Sequence, residues 1–416
     1  MKFVDERLVQ KKTSVFAPLT MLKLKTFPDV PKATLKSSDK KTLTETNKLL
    51  SQLLKISQSK EIDLQEVLCH ALAEVPPALG NPDGSMTKTN KASLFHHIME
   101  EVPELLIHHI PTPLAIILDG MAFLRQLQNV PSTFGELAKF VFDAVIGKAK
   151  SMSAGRIDIV WDTYPEVSIK SAEQDRRASA AGVQLLHLTE GIQKLPSNFN
   201  QYLSSKKNKE SLIAFLLSQW KGYSETASCG VLMYFAGNKK CYKLFGQTKV
   251  SDLACDHQAA DTRLFLHVQH AAHFFPNVLI VSPDTDVFVL AISNVYTLAC
   301  DIIIQMMGNW FNISLIKRVF SKEVCGALLG LHCFTGCDTV SSFRGKGKKR
   351  ALACFKTHSQ FAKAFTALGN EWTPTEELKR ELEKFTCTLY GDKTASGVDK
   401  LRYRLFQKKD NVFNNL

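Results

Sequence analysis

The sequence has no apolar run long enough to cross a bilayer. Its apolar stretches, Val278 to Val281 among them, are short and closed by acids or proline, so a spanning helix is not expected. It has no repeated CxxC. The ten cysteines are scattered, which argues against a disulfide framework and for reduced thiols of the cytoplasm or nucleus. Cys325, Cys333 and Cys337 lack zinc-ligand spacing and are expected to be buried thiols. It has no histidine cluster at ligand spacing either. His96-His97 and His108-His109 are adjacent pairs, whose side chains point apart on a helix, and His267, His270 and His273 step by threes without a matching carboxylate or cysteine. The opening MKFVDERLVQKK mixes acids and bases with no apolar core, so no secretory leader is expected. Acids are too few to balance the bases: 40 Asp and Glu face 52 Lys and Arg, for a formal charge of +12 and a pI near 9.1. Such an excess favours an anionic partner, nucleic acid first, and membrane association is not expected.

What is present suits a soluble chain. At 416 residues, 45% hydrophobic and 22% charged, it is long enough for one large domain plus a satellite, or two domains. Residues 1–110 read as an accessory, mainly helical region. Lys36 to Lys41 and Gly80 to Asn90 are polar and turn-rich, hence loops. Helical spacing marks Thr42 to Leu54, Leu64 to Leu72, and Ala92 to Glu101, the last stopping before Pro103. No catalytic constellation is expected here.

The informative stretch is VLIVSPDTDVFVLAIS, Val278 to Ser293. A continuous apolar run closed by proline reads as a strand buried on both faces, with Asp284 and Asp286 at its carboxyl end. Leu114 to Leu118 is a second such run, ending in Asp119-Gly120. Ile157 to Trp161 is a third, followed by Asp162. A helix over Phe134 to Lys148 separates the last two, which predicts a parallel sheet with right-handed crossovers and all these ends on one edge. One strand-end Asp is a common cap or turn residue; three sets at equivalent positions call for a cation, because carboxylates beside apolar surface are costly unless paired. Cys300 to Met306 is another strand, and Gly230 to Gly246 a hairpin turning at Gly237 to Lys240.

Basic segments accompany the acids. Lys170, Arg176 and Arg177 lie in a charged, helical stretch that would steer phosphates or simply be solvated. Asp256 to Phe274 reads as a helix N-capped by Asp256, with Asp261 near its start and Arg263 placed to pair with a core carboxylate or a phosphate. After a helix over Lys322 to Cys333 comes Thr335-Gly336-Cys337-Asp338, then Gly345-Lys346-Gly347-Lys348-Lys349-Arg350 and an apolar helix. Glycines let backbone approach a phosphate, and the following helix start binds it. Residues 357–416 read as a helical extension, clearest over Glu376 to Phe385.

The set Ile117 to Gly120, Val160 to Asp162, Ser282 to Asp286, and Thr335 to Asp338 followed by Gly345 to Ala351 resembles the flap endonuclease and XPG-type nucleases, and within them the asteroid-like branch. The resemblance implies an α/β fold, a PIN-like domain over residues 111–356. A central, mainly parallel sheet would be flanked by helices and joined by a helix-hairpin-helix. It implies Mg²⁺ or Mn²⁺, two ions, held by Asp119, Asp162, Asp261, Asp284, Asp286 and Asp338, and cleavage of DNA or RNA with DNA favoured. It implies nucleic-acid contacts from Lys170, Arg176 and Arg177 and from Gly345, Lys346, Gly347, Lys348, Lys349 and Arg350. No small-molecule cofactor is expected. Ala259 stands where the family carries the first acid of a Glu-x-Glu pair whose second position is Asp261. Hence two function classes follow: a divalent-metal-dependent endonuclease, and a nucleic-acid-binding or scaffold protein on a nuclease fold weakened at Ala259. A third reading keeps the sheet and makes the Asp residues loop caps.

Overall fold

Apolar runs with no polar alternation must be covered on both faces, and the sheet they form is covered on both. The computed structural model describes residues 37–63, 67, 76, 78–81, 83–164, 185–257, 259–395, 397–402 and 404–405. The chain divides into two compact units, Met1–Ser85 and Met86–Leu416.

The first unit contains helix α1, Ser37–Ser59. The stretch read as a loop at Lys36 to Lys41 is helical from Ser37 onward. The helix expected over Leu64 to Leu72 lies, but for one residue, outside the described residues.

The second unit is built on a nine-stranded sheet. Its strands are β1 (Leu106–Ile107), β2 (Leu114–Asp119), β3 (Ala154–Val160), β4 (Leu232–Gly237), β5 (Lys240–Lys243), β6 (Thr248–Lys249), β7 (Asn277–Val281), β8 (Asp301–Met306) and β9 (Asn309–Asn312). Their order across the sheet is β1-β9-β8-β7-β2-β3-β4-β5-β6. The five central strands, β8-β7-β2-β3-β4, are parallel, and the outer pairs are antiparallel. This is the α/β, mainly parallel architecture expected. The β4–β5 hairpin turns through Asn238 and Lys239, both at positive φ, as a two-residue hairpin of matching twist requires.

Alternate strand residues face opposite layers. Ala115, Ile117, Val278, Ile280, Ile302 and Ile304 pack with helices α7 (Ala260–Ala272), α8 (Thr285–Asn294) and α9 (Lys322–Phe334). Leu114, Ile116, Leu118, Ile157 and Ile159 pack with α4 (Phe134–Ser151) and α6 (Lys206–Lys221). The short helices α3 (Gly120–Gln126) and α5 (Phe199–Tyr202) complete that half.

The core runs past both limits read from the sequence. Helix α2 (Ala92–Glu101) buries Leu94, Phe95 and Ile98 in the first layer. Helix α10 (Lys348–Thr357) buries Leu352 and Phe355 there. The helices α11 (Ala362–Ala367) and α12 (Glu376–Leu389), with Phe361 before them, add Phe361, Phe365, Phe385 and Leu389. Residues 92–101 on one side of 111–356, and the helices α11 and α12 on the other, therefore contribute to this core wall.

One charged network is buried within it. Arg156 donates two hydrogen bonds of 2.7 Å to the Asp158 carboxylate, and His267 Nδ1 lies 2.6 Å from Asp158 Oδ2. Asp158 is fully buried. Burial opposes its charge, but Arg156 and His267 hold its carboxyl below the ordinary value. Burial in turn pushes the His267 imidazole down. This histidine is structural, as expected of it. Arg263, expected to pair with a carboxylate or a phosphate, is fully buried, and its Nη2 donates to the Lys240 carbonyl at 2.8 Å.

Candidate active site

Between β2 and β7 the sheet changes direction. The chain runs β2, β3, β4 toward one edge, then returns to add β7 and β8 on the other side of β2. Ligands in open α/β sheets sit beyond the carboxyl ends of the strands at such a switch. The pairing puts Asp119 opposite Val160 on one side, while Leu118 lies opposite Val281 on the other. The strand-end acids Asp119, Asp162 and Asp284 therefore share one edge.

Each acid is held by a local device. Asp119 caps α3: its Oδ1 accepts from the Ala122 amide at 3.0 Å. The following Gly120 is required, since a Cβ there would lie 2.5 Å from the Trp161 ring. Ser282, fully buried, bridges two acids. Its Oγ donates to Asp119 Oδ2 at 3.4 Å and accepts from the Asp284 amide at 3.3 Å. Asp284 caps α8 by accepting from the Asp286 amide at 2.9 Å. Asp162 Oδ1 accepts from the Ala260 amide at 2.8 Å, and the Tyr164 hydroxyl lies 3.3 Å from its Oδ2. Capping is thus real at Asp119 and Asp284, yet each cap takes up one oxygen only; the second oxygen of Asp119 meets Ser282.

The electrostatics show a group of acids short of positive charge on one side and supplied with it on the other. Burial, and then the charges of Asp162 and Asp284, push the Asp119 carboxyl up to about 6 against the pull of the Ala122 amide and Ser282. Asp286 goes the other way. Burial opposes its charge, but hydrogen bonds from His332 and Lys91 hold it down at about 2. His332 Nε2 lies 3.1 Å from Asp286 Oδ1. The Lys91 ammonium lies 3.0 Å from Asp286 Oδ2, 3.0 Å from Asp338 Oδ1 and 3.9 Å from Asp284 Oδ1. Burial disfavours that ammonium, but Asp286, Asp338 and Asp284 outweigh it and raise its pKa above the ordinary lysine value.

An all-carboxylate donor set suits hard divalent ions such as Mg²⁺ and Mn²⁺. Among the described residues, no group of three or more His, Cys, Asp or Glu is spaced to hold a metal as it stands. The oxygens around Lys91 stand at ammonium distances, and Mg²⁺ needs them at about 2.0–2.1 Å. The residues nonetheless fit a cation, because three of them already converge on one.

No family model matches the sequence, and no curated protein matches it. Solved structures do. The D15 protein of bacteriophage T5, co-crystallised with metal ions, aligns at 12% identity over 67% of this chain and 86% of its own, with a TM-score of 0.37. The T5 5′-exonuclease with bound zinc aligns at 14% identity over the same shares, with a TM-score of 0.35. The catalytic core of Rad2 in complex with DNA substrate aligns at 9% identity over 70% and 78%, with a TM-score of 0.33.

Of the six acids expected to act together, Asp284, Asp286 and Asp338 meet at Lys91, and Asp119 and Asp162 are electrostatically linked to each other. Asp261 lies half-buried in the first turn of α7, the turn tied to Asp162 through Ala260. That helix begins at Ala260 and not at Asp256, and Asp162, just beyond the end of β3, supplies an acceptor for its first amide. Lys170, Arg176 and Arg177 lie outside the described residues.

The basic loop is mixed. Gly345, at φ +71°, and Gly347 lead into α10, and Lys349 and Arg350 are exposed on its first turn. Lys346 sits half-exposed with its ammonium 4.6 Å from the centre of the Tyr390 ring. Lys348 points inward, 2% exposed, and donates to the His332 carbonyl and, at 3.1 Å, to Thr335 Oγ1. Contrary to expectation it does not face a phosphate: it closes the C-terminal end of α9, where a cation is favoured. Lys91, Ser282 and His332 carry no motif in the sequence, and Lys91 falls within the stretch that reads as accessory.

Proposed function

We propose that this protein is a divalent-metal-dependent phosphodiesterase that cuts nucleic acid, DNA in the first instance, on the PIN-like plan of the XPG-type and asteroid-like nucleases. One observation carries the reading: acids from two separate segments, Asp284 with Asp286 and Asp338, gather around a single cation at the switch point of the sheet, and Ser282 ties Asp119 to the Asp284 turn beside them.

Asp119, Asp284 and Asp286 are the central ligands in this proposal, with Asp162, Asp261 and Asp338 around them. Divalent ions held there, Mg²⁺ or Mn²⁺ and two in number, would supply Lewis-acid stabilisation of charge on the phosphoryl oxygens. The chain does the rest. Ser282 sets the oxygens of Asp119 relative to the Asp284 turn, and His332 fixes the Asp286 carboxylate from behind. Tyr164 and the Ala260 amide orient Asp162. Lys346, Lys349 and Arg350, on the proposed helix-hairpin-helix, would hold the sugar-phosphate backbone without reading sequence. A net charge of +12 supports a polyanionic substrate.

A second reading follows from Ala259, which stands beside the Ala260–Asp162 contact without a carboxylate. There the protein binds nucleic acid and cuts it weakly or not at all. The test uses labelled flap, hairpin and single-stranded DNA and RNA, with Mg²⁺ or Mn²⁺, for wild type beside Asp286→Ala and Ala259→Glu. Cutting by wild type that Asp286→Ala abolishes supports the nuclease. Retained binding with no cutting, switched on by Ala259→Glu, supports the second reading. Absence of cutting in all three sinks the first.

A further inference from the structure

The cation at the centre of the acid edge belongs to the chain itself. Lys91 is the residue before α2, where it makes no side-chain cap of its own. The segment leading to it is fastened across the loop that carries Asp338. The Thr87 carbonyl accepts from the Ser342 amide at 2.8 Å and from Ser342 Oγ at 2.9 Å. Lys88 Nζ donates to the Asp338 carbonyl at 3.3 Å. Lys91 Nζ then reaches Asp286, Asp338 and Asp284. Two lysines on one strap thus meet the Asp338 turn, and one of them enters the carboxylate cluster.

We infer that the Lys91 ammonium occupies a cation subsite of the acid edge and competes there with a divalent ion. The inference rests on the metal reading above. Its physical basis is exclusion: an ammonium 3.0 Å from two of these carboxylates leaves no room for an ion that needs the same oxygens at about 2.0–2.1 Å. Lys91 must swing out when metal binds. In doing so it leaves an ammonium, beside that of Lys88, at the rim where a phosphate would lie. Lys91 is thus a positioning residue that makes metal occupancy conditional on its displacement.

Two measurements test this on the full chain. Calorimetric titration with Mn²⁺ compares wild type, Lys91→Met and Lys91→Arg. Removal of the charge tightens Mn²⁺ binding by about tenfold or more, while Lys91→Arg, which keeps the charge, stays close to wild type. Equal affinity in wild type and Lys91→Met, or weaker binding in Lys91→Met, overturns the inference and leaves the metal reading standing. No binding in any of the three proteins removes the metal reading and this inference with it. The second measurement needs no variant. Amine acetylation followed by mass spectrometry reports Lys91 as slow to react without metal and faster with Mn²⁺, with Lys349 unchanged as the internal standard. Labelling of Lys91 that is unaffected or slowed by Mn²⁺ contradicts displacement.

Discussion

Asp119→Asn is expected to make the metal-free protein more stable at neutral pH, although it removes a residue of the proposed site. The substitution keeps the shape and leaves an oxygen to accept from the Ala122 amide, so the cap on α3 survives. What it removes is a negative charge crowded by burial and by Asp162 and Asp284. Raising that carboxyl from 3.8 to about 6, at about 1.4 kcal/mol per pH unit, corresponds to about 3 kcal/mol against the ionised form. The new amide must find an acceptor beside Ser282, which offsets part of that, so the net gain is about 1–2 kcal/mol. The pH dependence fixes the sign. A carboxyl whose folded pKa is raised contributes stability that is complete below the unfolded value of 3.8 and is lost as pH rises through about 6. The gain from Asn should therefore be small at pH 4 and full at pH 7.5. Urea unfolding in the presence of a chelator at the two pH values reads it directly. With Mn²⁺ added the order should reverse, because wild type alone gains fully from binding. Loss of stability in Asp119→Asn at pH 7.5 without metal, or a gain that does not change with pH, would refute the reasoning.

Three other outcomes follow from the same structure. Asp158→Asn breaks a buried pair while leaving Arg156 charged in the core, and should cost about 3–5 kcal/mol in urea or thermal unfolding. Lys349→Ala and Arg350→Ala should each lower the slope of log affinity against log salt on duplex DNA by about 0.9. Lys348→Met should leave that slope unchanged while weakening the fold, because its ammonium serves the end of α9.

The residues show why some of this could be read in advance. Parallel strands covered on both faces leave apolar runs such as Leu114 to Leu118 and Val278 to Val281, and an acid that ends each run marks the sheet edge. Lys91 gave no local signal. It lies in a polar stretch and meets Asp286 across 195 residues, a pairing that only the folded chain defines. The inward turn of Lys348 does have a signal in the sequence. Ala351, Leu352 and Phe355 form an apolar stripe, and a helix in that phase turns position 348 inward while Lys349 and Arg350 face out. The start of α7 differs from the sequence expectation because of a contact distant in the chain. Asp256 has the chemistry of an N-cap, but Asp162, in the loop after β3, accepts from the Ala260 amide instead. The C-terminal helices looked like an appendage because their charge is plain in the sequence, whereas the ring packing of Phe361, Phe365 and Phe385 is not.

Whether the acid edge binds divalent ions is read by anomalous diffraction from crystals grown with Mn²⁺. A peak is expected among Asp119, Asp284 and Asp286, with the Lys91 ammonium moved out of the cluster. Lys91 remaining on Asp286 and Asp338, with no Mn²⁺ at the edge of β2 and β7, would contradict that expectation.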